Sequence, residues 1–418
     1  MRTMKGFKAL MPVSDALSLV LSRFGEWTPG SEEVLIASSC GRVSDERVVS
    51  SVDIPPFDRS AVDGYAVRSE DTYSSSNNNP AELALRGTAE AGGATLAGPV
   101  LGGNCVEIYT GAKLPEGADS VVMAEDCERL GGRVLVSKPV PRGANVSIKG
   151  EDIRMGDVVL CDHRVIRPWH IGVLASIGRP IIAVRRRPVI AIFSTGNELV
   201  DIGGTAGKGA QSIVDSTRPM IASMASAAGC AVNDGGIVSD DLDSISRKML
   251  MLARTSDAVL SIGGTSVGGK DMVPEAAKSI SSEGVIFHGV AIKPGKPFGF
   301  GVVGGKPLFM LPGYPVSAMV GLEAIVLPLL SLWSGACPAK RQVVKARLAR
   351  RVPTTPGIRH YLRVHLEETD GGLIASPIAI TGSGLLSSIT RADGIVVIGE
   401  DYEGVEEGSE VSVELLED

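Results

Sequence analysis

Between residues 188 and 333 short apolar runs alternate with amphipathic stretches, and this rhythm constrains the fold more than any other feature of the chain. Residues 189–193 are continuously apolar, 218–228 have helical spacing, and 231–238 are extended in pattern. Residues 242–254 carry Leu242, Ile245, Met249 and Leu252 on one helical face. A strand over 258–262, a helix over 274–281 and a strand over 285–292 follow. A hairpin of 298–303 with 307–311 then turns at Gly304-Gly305, and a helix starts at Pro315. Strands this apolar are covered on both faces, which predicts a doubly wound, mainly parallel sheet flanked by helices.

In such sheets ligands sit outside the carboxyl ends of the strands. The polar and glycine-rich residues of this chain fall there. After the first strand come Ser194, Thr195, Gly196, Asn197 and Glu198, and before the next helix comes Asp215-Ser216-Thr217-Arg218. After the third strand lies the run Gly263, Gly264, Thr265, Ser266, Val267, Gly268, Gly269, Lys270 and Asp271. Lys293-Pro294-Gly295-Lys296-Pro297 and Leu311-Pro312-Gly313-Tyr314-Pro315 complete five loops at one edge. Glycine lets backbone N–H groups approach an anion, and a helix start adds partial positive charge. Lys293 and Lys296 supply cations, whereas Glu198, Asp215 and Asp271 would repel a phosphate unless a divalent cation lay between. Together these groups point to Mg²⁺-assisted chemistry on a phosphate-containing or oxyanionic substrate.

Other chemistries fit less well. Gly264-Thr265-Ser266-Val267-Gly268 matches a hydrolase nucleophile elbow, with Asp271 and His288 in the right order. The helix pattern starts only near Pro274, however, and His288 falls inside an expected strand. No Walker A string and no G-x-G-x-x-G after the first strand exist, which disfavours standard nucleotide sites. The six cysteines form no C-x-x-C, the closest two standing 22 positions apart, so free thiols in a reducing cytoplasm are expected. His360 and His365 fall on opposite faces of an extended segment and do not share a metal. A net charge of −7 argues against a nucleic-acid binder. The apolar stretch 316–333 is broken by Glu323 and Pro328 and reads as a buried helix, and residues 1–13 are too short an apolar run for a secretory leader.

The remaining 272 or so positions of the 418 divide by texture. Glycine counts 51, about 12% against a usual 7%, which implies many tight turns. Residues 12–40 read as two short helices with Ser14 as an N-cap, and 168–177 as another helix. The expected organisation is a discontinuous mixed N-terminal domain (1–50 and 147–184), a β-rich second domain (51–146), the α/β domain (185–334) and a small C-terminal β-barrel (340–418). No internal repeat is evident.

Eight strings carry a resemblance: PPFDRSAVDGYAV (55–67), YTGAKLPEGAD (109–119), GEDI (150–153), FSTGNEL (193–199), DSTR (215–218), GGTSVGGKD (263–271), IKPGKP (292–297) and LPGYPVSA (311–318). In this order they resemble the MoeA family of molybdopterin molybdenumtransferases, to which the E domain of gephyrin is related. The resemblance implies a multidomain α/β plus β protein whose central domain is of the molybdopterin-binding type. It implies an elongated cytoplasmic homodimer, with the active site between subunits and a molybdopterin adenylyltransferase as upstream partner, and neither nucleic acid nor membrane. It also implies Mg²⁺-dependent cleavage of adenylylated molybdopterin, release of AMP and insertion of molybdate into the dithiolene. A non-catalytic scaffold binding pterin or a peptide, and an insertase preferring tungstate, are the alternatives.

Carried onto this sequence, the functional acids are Asp63, Asp152, Glu198, Asp215 and Asp271, with Glu198, Asp215 and Asp271 at the metal. Asp63 and Asp152 would move protons or orient the pterin. Substrate-binding residues are Thr110, Ser194, Thr195, Gly196, Gly263, Gly264, Ser266, Gly268, Lys293, Lys296, Pro312 and Pro315. Arg359 and Ser383 match more loosely. Two departures stand out: Tyr314 occupies a position usually Asn, and Arg59 replaces a common Asn. No adenylyltransferase domain is matched, so the bifunctionality of gephyrin is not expected.

Overall fold

The computed structural model describes residues 10–93, 98–204, 212–265, 272–335, 341–378 and 384–416. The chain separates into two compact units, one of residues 1–32, 41–43 and 185–418 and the other of 33–40 and 44–184.

The first unit is built on a six-stranded sheet. Its strands run in the order Ala231–Val238, Val189–Thr195, Ala258–Ile262, Lys306–Leu311, Gly299–Val303 and Phe287–His288. The first four are mutually parallel, and the last two join antiparallel. Side chains alternate across the sheet as period-two geometry requires. Ile190 and Ile192 join one core with Ile221, Val316 and Leu329, while Ala191 and Phe193 join the other with Ile245, Met249 and Val273. The helices Thr217–Ala227 and Pro315–Gly321 therefore cover one face, and Leu242–Thr255 and Met272–Ile280 the other.

Helix Val13–Phe24 departs from expectation. Its N-cap is Pro12, and it buries Val13, Ala16 and Val20 in the first of these cores, rather than belonging with residues 147–184. Trp333 Nε1 donates to the Phe24 carbonyl at 2.8 Å, which pins its end. The second helix expected before residue 40 is instead the strand Ser31–Leu35 and the single turn Ile36–Ser38. Over Pro315–Ser334 the chain is helical for 20 residues with mean hydropathy 1.9, long and apolar enough to cross a membrane, yet 67% of it is buried inside the fold. Pro328 is accommodated by a π-turn at Leu322–Val326, where Leu327 N–H reaches back five residues to the Leu322 carbonyl.

Five strands after residue 340 close into a barrel. Arg359–Thr369 pairs with both Gly372–Pro377 and Gly394–Ile398, and Val343–Leu348 and Glu410–Leu415 complete the ring. Leu362, Val364, Ala375, Val396 and Val413 fill it. One strand of the central domain reaches out to this barrel: Ile292–Lys293 pairs in parallel with Arg359–Thr369, Ile292 facing Arg359 and Lys293 facing His360. The strand expected over 285–292 is thus split, because Gly289 adopts φ +107° and sends its two halves to different sheets.

The second unit carries its own six-stranded sheet, ordered Ser120–Met123, Gly64–Val67, Asn104–Ile108, Ala81–Ala89, Arg133–Val136 and Cys127–Leu130. A separate small core holds Leu160, Ile166, Leu174, Ile182 and Val184 around helix Pro168–Ser176.

Candidate functional site

The carboxyl edge of the central sheet is organised by two glycines. Gly263 and Gly264 have φ of +89° and +62°. A Cβ on Gly263 would stand 2.6 Å from the Thr195 carbonyl oxygen, and one on Gly264 2.8 Å from Val273 Cγ2. Only glycine permits this close approach of the third-strand loop to the first. Opposite, Thr217 donates its hydroxyl to the Gly313 carbonyl at 3.0 Å, holding the loop that leads into helix Pro315–Gly321.

Two cavities result. The first, about 560 Å³, is lined by Thr195, Glu198, Asp240, Gly263, Gly264 and Pro315, among others. The second, about 460 Å³, lies between the central sheet and the barrel, with Lys293, Lys296, Pro312, His360 and Arg363 in its wall. Gly313 and Tyr314 belong to both. Tyr314 is 63% exposed, and its ring lies against Gly384, whose absent Cβ would stand 3.2 Å from it. The expected single edge is therefore two adjoining chambers, one acidic and one cationic.

Asp240 is the residue that sequence reading missed. Its Oδ1 accepts the Thr195 hydroxyl at 2.7 Å, and its backbone N–H donates to Asn197 Oδ1 at 3.1 Å. These bonds tie the loop after Ala231–Val238 to the loop after Val189–Thr195. The sequence hides this because Asp241, next in line, is the N-cap of helix Leu242–Thr255, accepting from the N–H groups of Asp243 and Ser244. A pair of aspartates before a helix reads as a cap; only the strand end above it distinguishes the first from the second.

Asp215 lines the acidic cavity with Glu198 and is also engaged inside the fold. It is 3% exposed, its Oδ1 accepts the Arg218 backbone N–H at 3.1 Å, and its Oδ2 accepts Arg218 Nε at 3.0 Å. Arg218, itself 4% exposed, is also paired to Asp201 and Asp234. A carboxylate paired in this way with a buried guanidinium anchors the helix start, and each of its oxygens keeps a further lone pair. Ser194 is fully buried and lines neither cavity, and its hydroxyl has no hydrogen-bond partner among the described residues. Over Gly196, a Cβ would stand 2.9 Å from the Glu198 carboxylate, so glycine there gives that side chain its place. Ser266, Gly268, Asp271 and Ser383 lie outside the described residues.

The fit of Mg²⁺ can be judged from the donors present. Among the described residues no group of three or more His, Cys, Asp or Glu could hold a metal ion. Glu198 and Asp240 on one cavity are hard oxygen donors, which suits an ion held by one or two carboxylates together with substrate phosphates. Among the described residues alone, a cation caged by protein groups does not fit.

In the second unit, Gly64 pairs with Ile108 in the antiparallel ladder, which brings the residues just outside it, Asp63 and Thr110, together. Asp63 Oδ1 accepts both the backbone N–H of Thr110 at 2.7 Å and its hydroxyl at 2.8 Å. Those two bonds, the backbone one foremost, hold the Asp63 carboxyl below its ordinary range. Gly64 itself is obligatory, since a Cβ would stand 1.9 Å from the Val122 carbonyl oxygen. Asp152 is exposed, and its backbone N–H donates to the Ile54 carbonyl.

Among known proteins, three family profiles match in order: MoeA N-terminal region (domain I and II) over residues 11–178, a probable molybdopterin binding domain over 191–332, and MoeA C-terminal region (domain IV) over 345–416. A molybdopterin molybdenumtransferase of Staphylococcus aureus is 32% identical, with 97% of this chain and 96% of the relative aligned. A Methanocaldococcus jannaschii protein named for molybdopterin biosynthesis is 36% identical over 99% of this chain and all of its own length. The crystal structure of a molybdopterin biosynthesis MoeA protein from Pyrococcus horikoshii superposes with a TM-score of 0.81 at 35% identity, covering 98% of this chain and 100% of that one. By profile, by sequence over nearly its whole length and by fold, the chain belongs to the MoeA family, whose curated members include proteins named molybdopterin molybdenumtransferase.

Proposed function

We propose that this protein is the molybdenum insertase of molybdenum cofactor biosynthesis, acting on adenylylated molybdopterin and molybdate in the cytoplasm. The observation that carries the reading is the pair of adjoining chambers, one with Glu198 and Asp240, the other with Lys293 and Lys296. An adenylylated pterin presents a phosphoanhydride and a dithiolene, and molybdate is a tetrahedral dianion. The two chambers offer complementary surroundings for the two.

In this reading two oxo ligands of molybdate give way to the two dithiolene sulfurs, each taking the proton of the S–H group that replaces it and leaving as hydroxide, with molybdenum staying hexavalent. One hydroxide equivalent is consumed at the anhydride phosphorus, and AMP departs. Lys293 and Lys296 hold the oxyanion, and the Gly263-Gly264 backbone orients the phosphates. Glu198 and Asp240, with Asp271 as the further acid implied by the resemblance, would hold a divalent cation, which would supply charge neutralisation to the phosphoanhydride. Asp63 fixes the Thr110 hydroxyl, leaving the Thr110 oxygen as an acceptor for a donor group of the pterin.

The same reading takes the protein as a homodimer whose sites combine Glu198 of one subunit with Asp63 and Thr110 of its partner, supplied by an adenylyltransferase upstream. AMP release from adenylylated molybdopterin, with molybdate and Mg²⁺ present or omitted, tests the activity. Release that needs both ions and falls in Asp63→Ala supports it; pterin binding without release supports a scaffold instead. Mixing inactive Asp63→Ala and Glu198→Ala subunits tests the shared site, and about a quarter of wild-type activity is expected to return from random pairing.

A further inference from the structure

The cationic chamber contains a residue that the eight matched strings do not include. His360 is 7% exposed and lines this cavity, directly across the parallel ladder from Lys293. The backbone N–H of Thr355 donates to His360 Nε2 at 3.2 Å. An imidazole nitrogen that accepts carries no proton, so the neutral ring must hold its proton on Nδ1. With Nε2 committed to the Thr355 loop, the Nδ1–H group is the ring's remaining polar group, on a side chain that lines the cavity.

We propose that His360 is a neutral hydrogen-bond donor to the tetrahedral oxyanion held by Lys293 and Lys296, and remains neutral when that anion binds. The proposal rests on the reading of this cavity as the oxyanion site. The groups around the ring support it. Lys293 and Lys296 face it from the 292–297 segment, Arg363 lies on its own strand, Ile398 stands across the antiparallel ladder, and among the described residues no Asp or Glu lines the cavity. Glu400 is nearby but is paired to Arg359. Burial first, and then the two ammonium groups, push the His360 pKa down. A dianion entering between two lysines and an arginine leaves the cluster cationic, so it gives the ring no reason to take a second proton. Protonation of Nε2 would also forfeit the bond to Thr355 and release the loop that forms this wall.

Isothermal titration of the intact protein with sodium molybdate alone, at pH 6.5 and 8 in two buffers of different ionisation enthalpy, measures both affinity and proton uptake. Wild type is expected to bind without net proton uptake. His360→Gln, whose amide can accept from Thr355 and donate to the anion, should stay within about threefold of wild type, and His360→Leu should bind about tenfold more weakly. Uptake of a proton by wild type that vanishes in His360→Gln would overturn the neutral donor, as would equal affinity of the Gln and Leu variants. Should His360→Leu fail to fold, as judged by its melting curve, the proton count in His360→Gln still decides. Lys293→Ala separates the two levels. If it binds like wild type, or wild type binds no molybdate, the oxyanion reading fails and the His360 proposal with it; if it weakens binding while His360→Leu does not, only the His360 role fails.

Discussion

Both hydrogen-bond donors of Thr110 converge on a single oxygen of Asp63, at 2.7 and 2.8 Å. An acceptor of two donors is at its best as an anion, and a group whose folded pKa is depressed keeps that interaction until the pH falls through the lowered value. Between pH 5 and 9 the rate profile of AMP release should therefore show no limb that Asp63→Asn removes. Asp63→Ala should slow release by about 10²-fold, while Asp63→Asn, whose amide oxygen can still accept from Thr110, should retain more. Equal losses in the two variants would mean that the charge itself does the chemistry.

Asp240 gives a second test at the acidic chamber. It accepts the Thr195 hydroxyl and faces the cavity without being deeply buried, so its removal should spare the fold. Asp240→Ala is expected to cost about 1.5–3 kcal/mol in urea unfolding, typical of a hydrogen bond to a charge. AMP release should fall by about 10²-fold or more, alongside a similar loss in Glu198→Ala. Loss of stability without loss of activity would return Asp240 to a purely structural role.

The glycines of the edge are not equivalent. Gly264→Ala forces φ +62° on alanine and drives its methyl to 2.8 Å from Val273 Cγ2 and 2.9 Å from Thr195 Cγ2. A loss of about 2–3 kcal/mol is expected. Gly313→Ala meets only the Gly263 Cα, at an ordinary 3.6 Å, and should cost less than about 1 kcal/mol. Equilibrium denaturation of the two variants checks the contrast.

Arg218→Met would leave Asp215 charged and without its buried partner. An uncompensated buried charge of this kind costs about 3–5 kcal/mol, and adding Asp215→Asn should recover about half of it or more. Failure of the second substitution to recover stability would show that Asp201 and Asp234, not Asp215, are the partners that matter.

These contrasts show what the sequence could and could not disclose. Strand Ala258–Ile262 was legible to the residue as an apolar run ended by glycines, and Glu410–Leu415 by its alternation of polar and apolar residues; Ala231–Val238 matched as an extended segment. The division of residues 285–292 was not, since it depends on Ile292–Lys293 finding a partner some 65 positions later in the barrel. Glu198, Lys293 and Lys296 stood out as charges in glycine loops. Asp240 sat behind a helix cap, His360 looked like one residue of a barrel strand, and Asp215 was conspicuous in sequence although its pairing with Arg218 was not. Local pattern reports which residues end a strand; which side chain is already taken is decided by residues elsewhere in the chain.

Tyr314 has the most to say about size. Its ring rests on Gly384, a bare α-carbon that offers no side chain to lock it, and it forms part of the wall of both chambers. A side chain that belongs to both walls is a surface that a guest spanning the two chambers meets twice, so a change in its size alters both volumes at once.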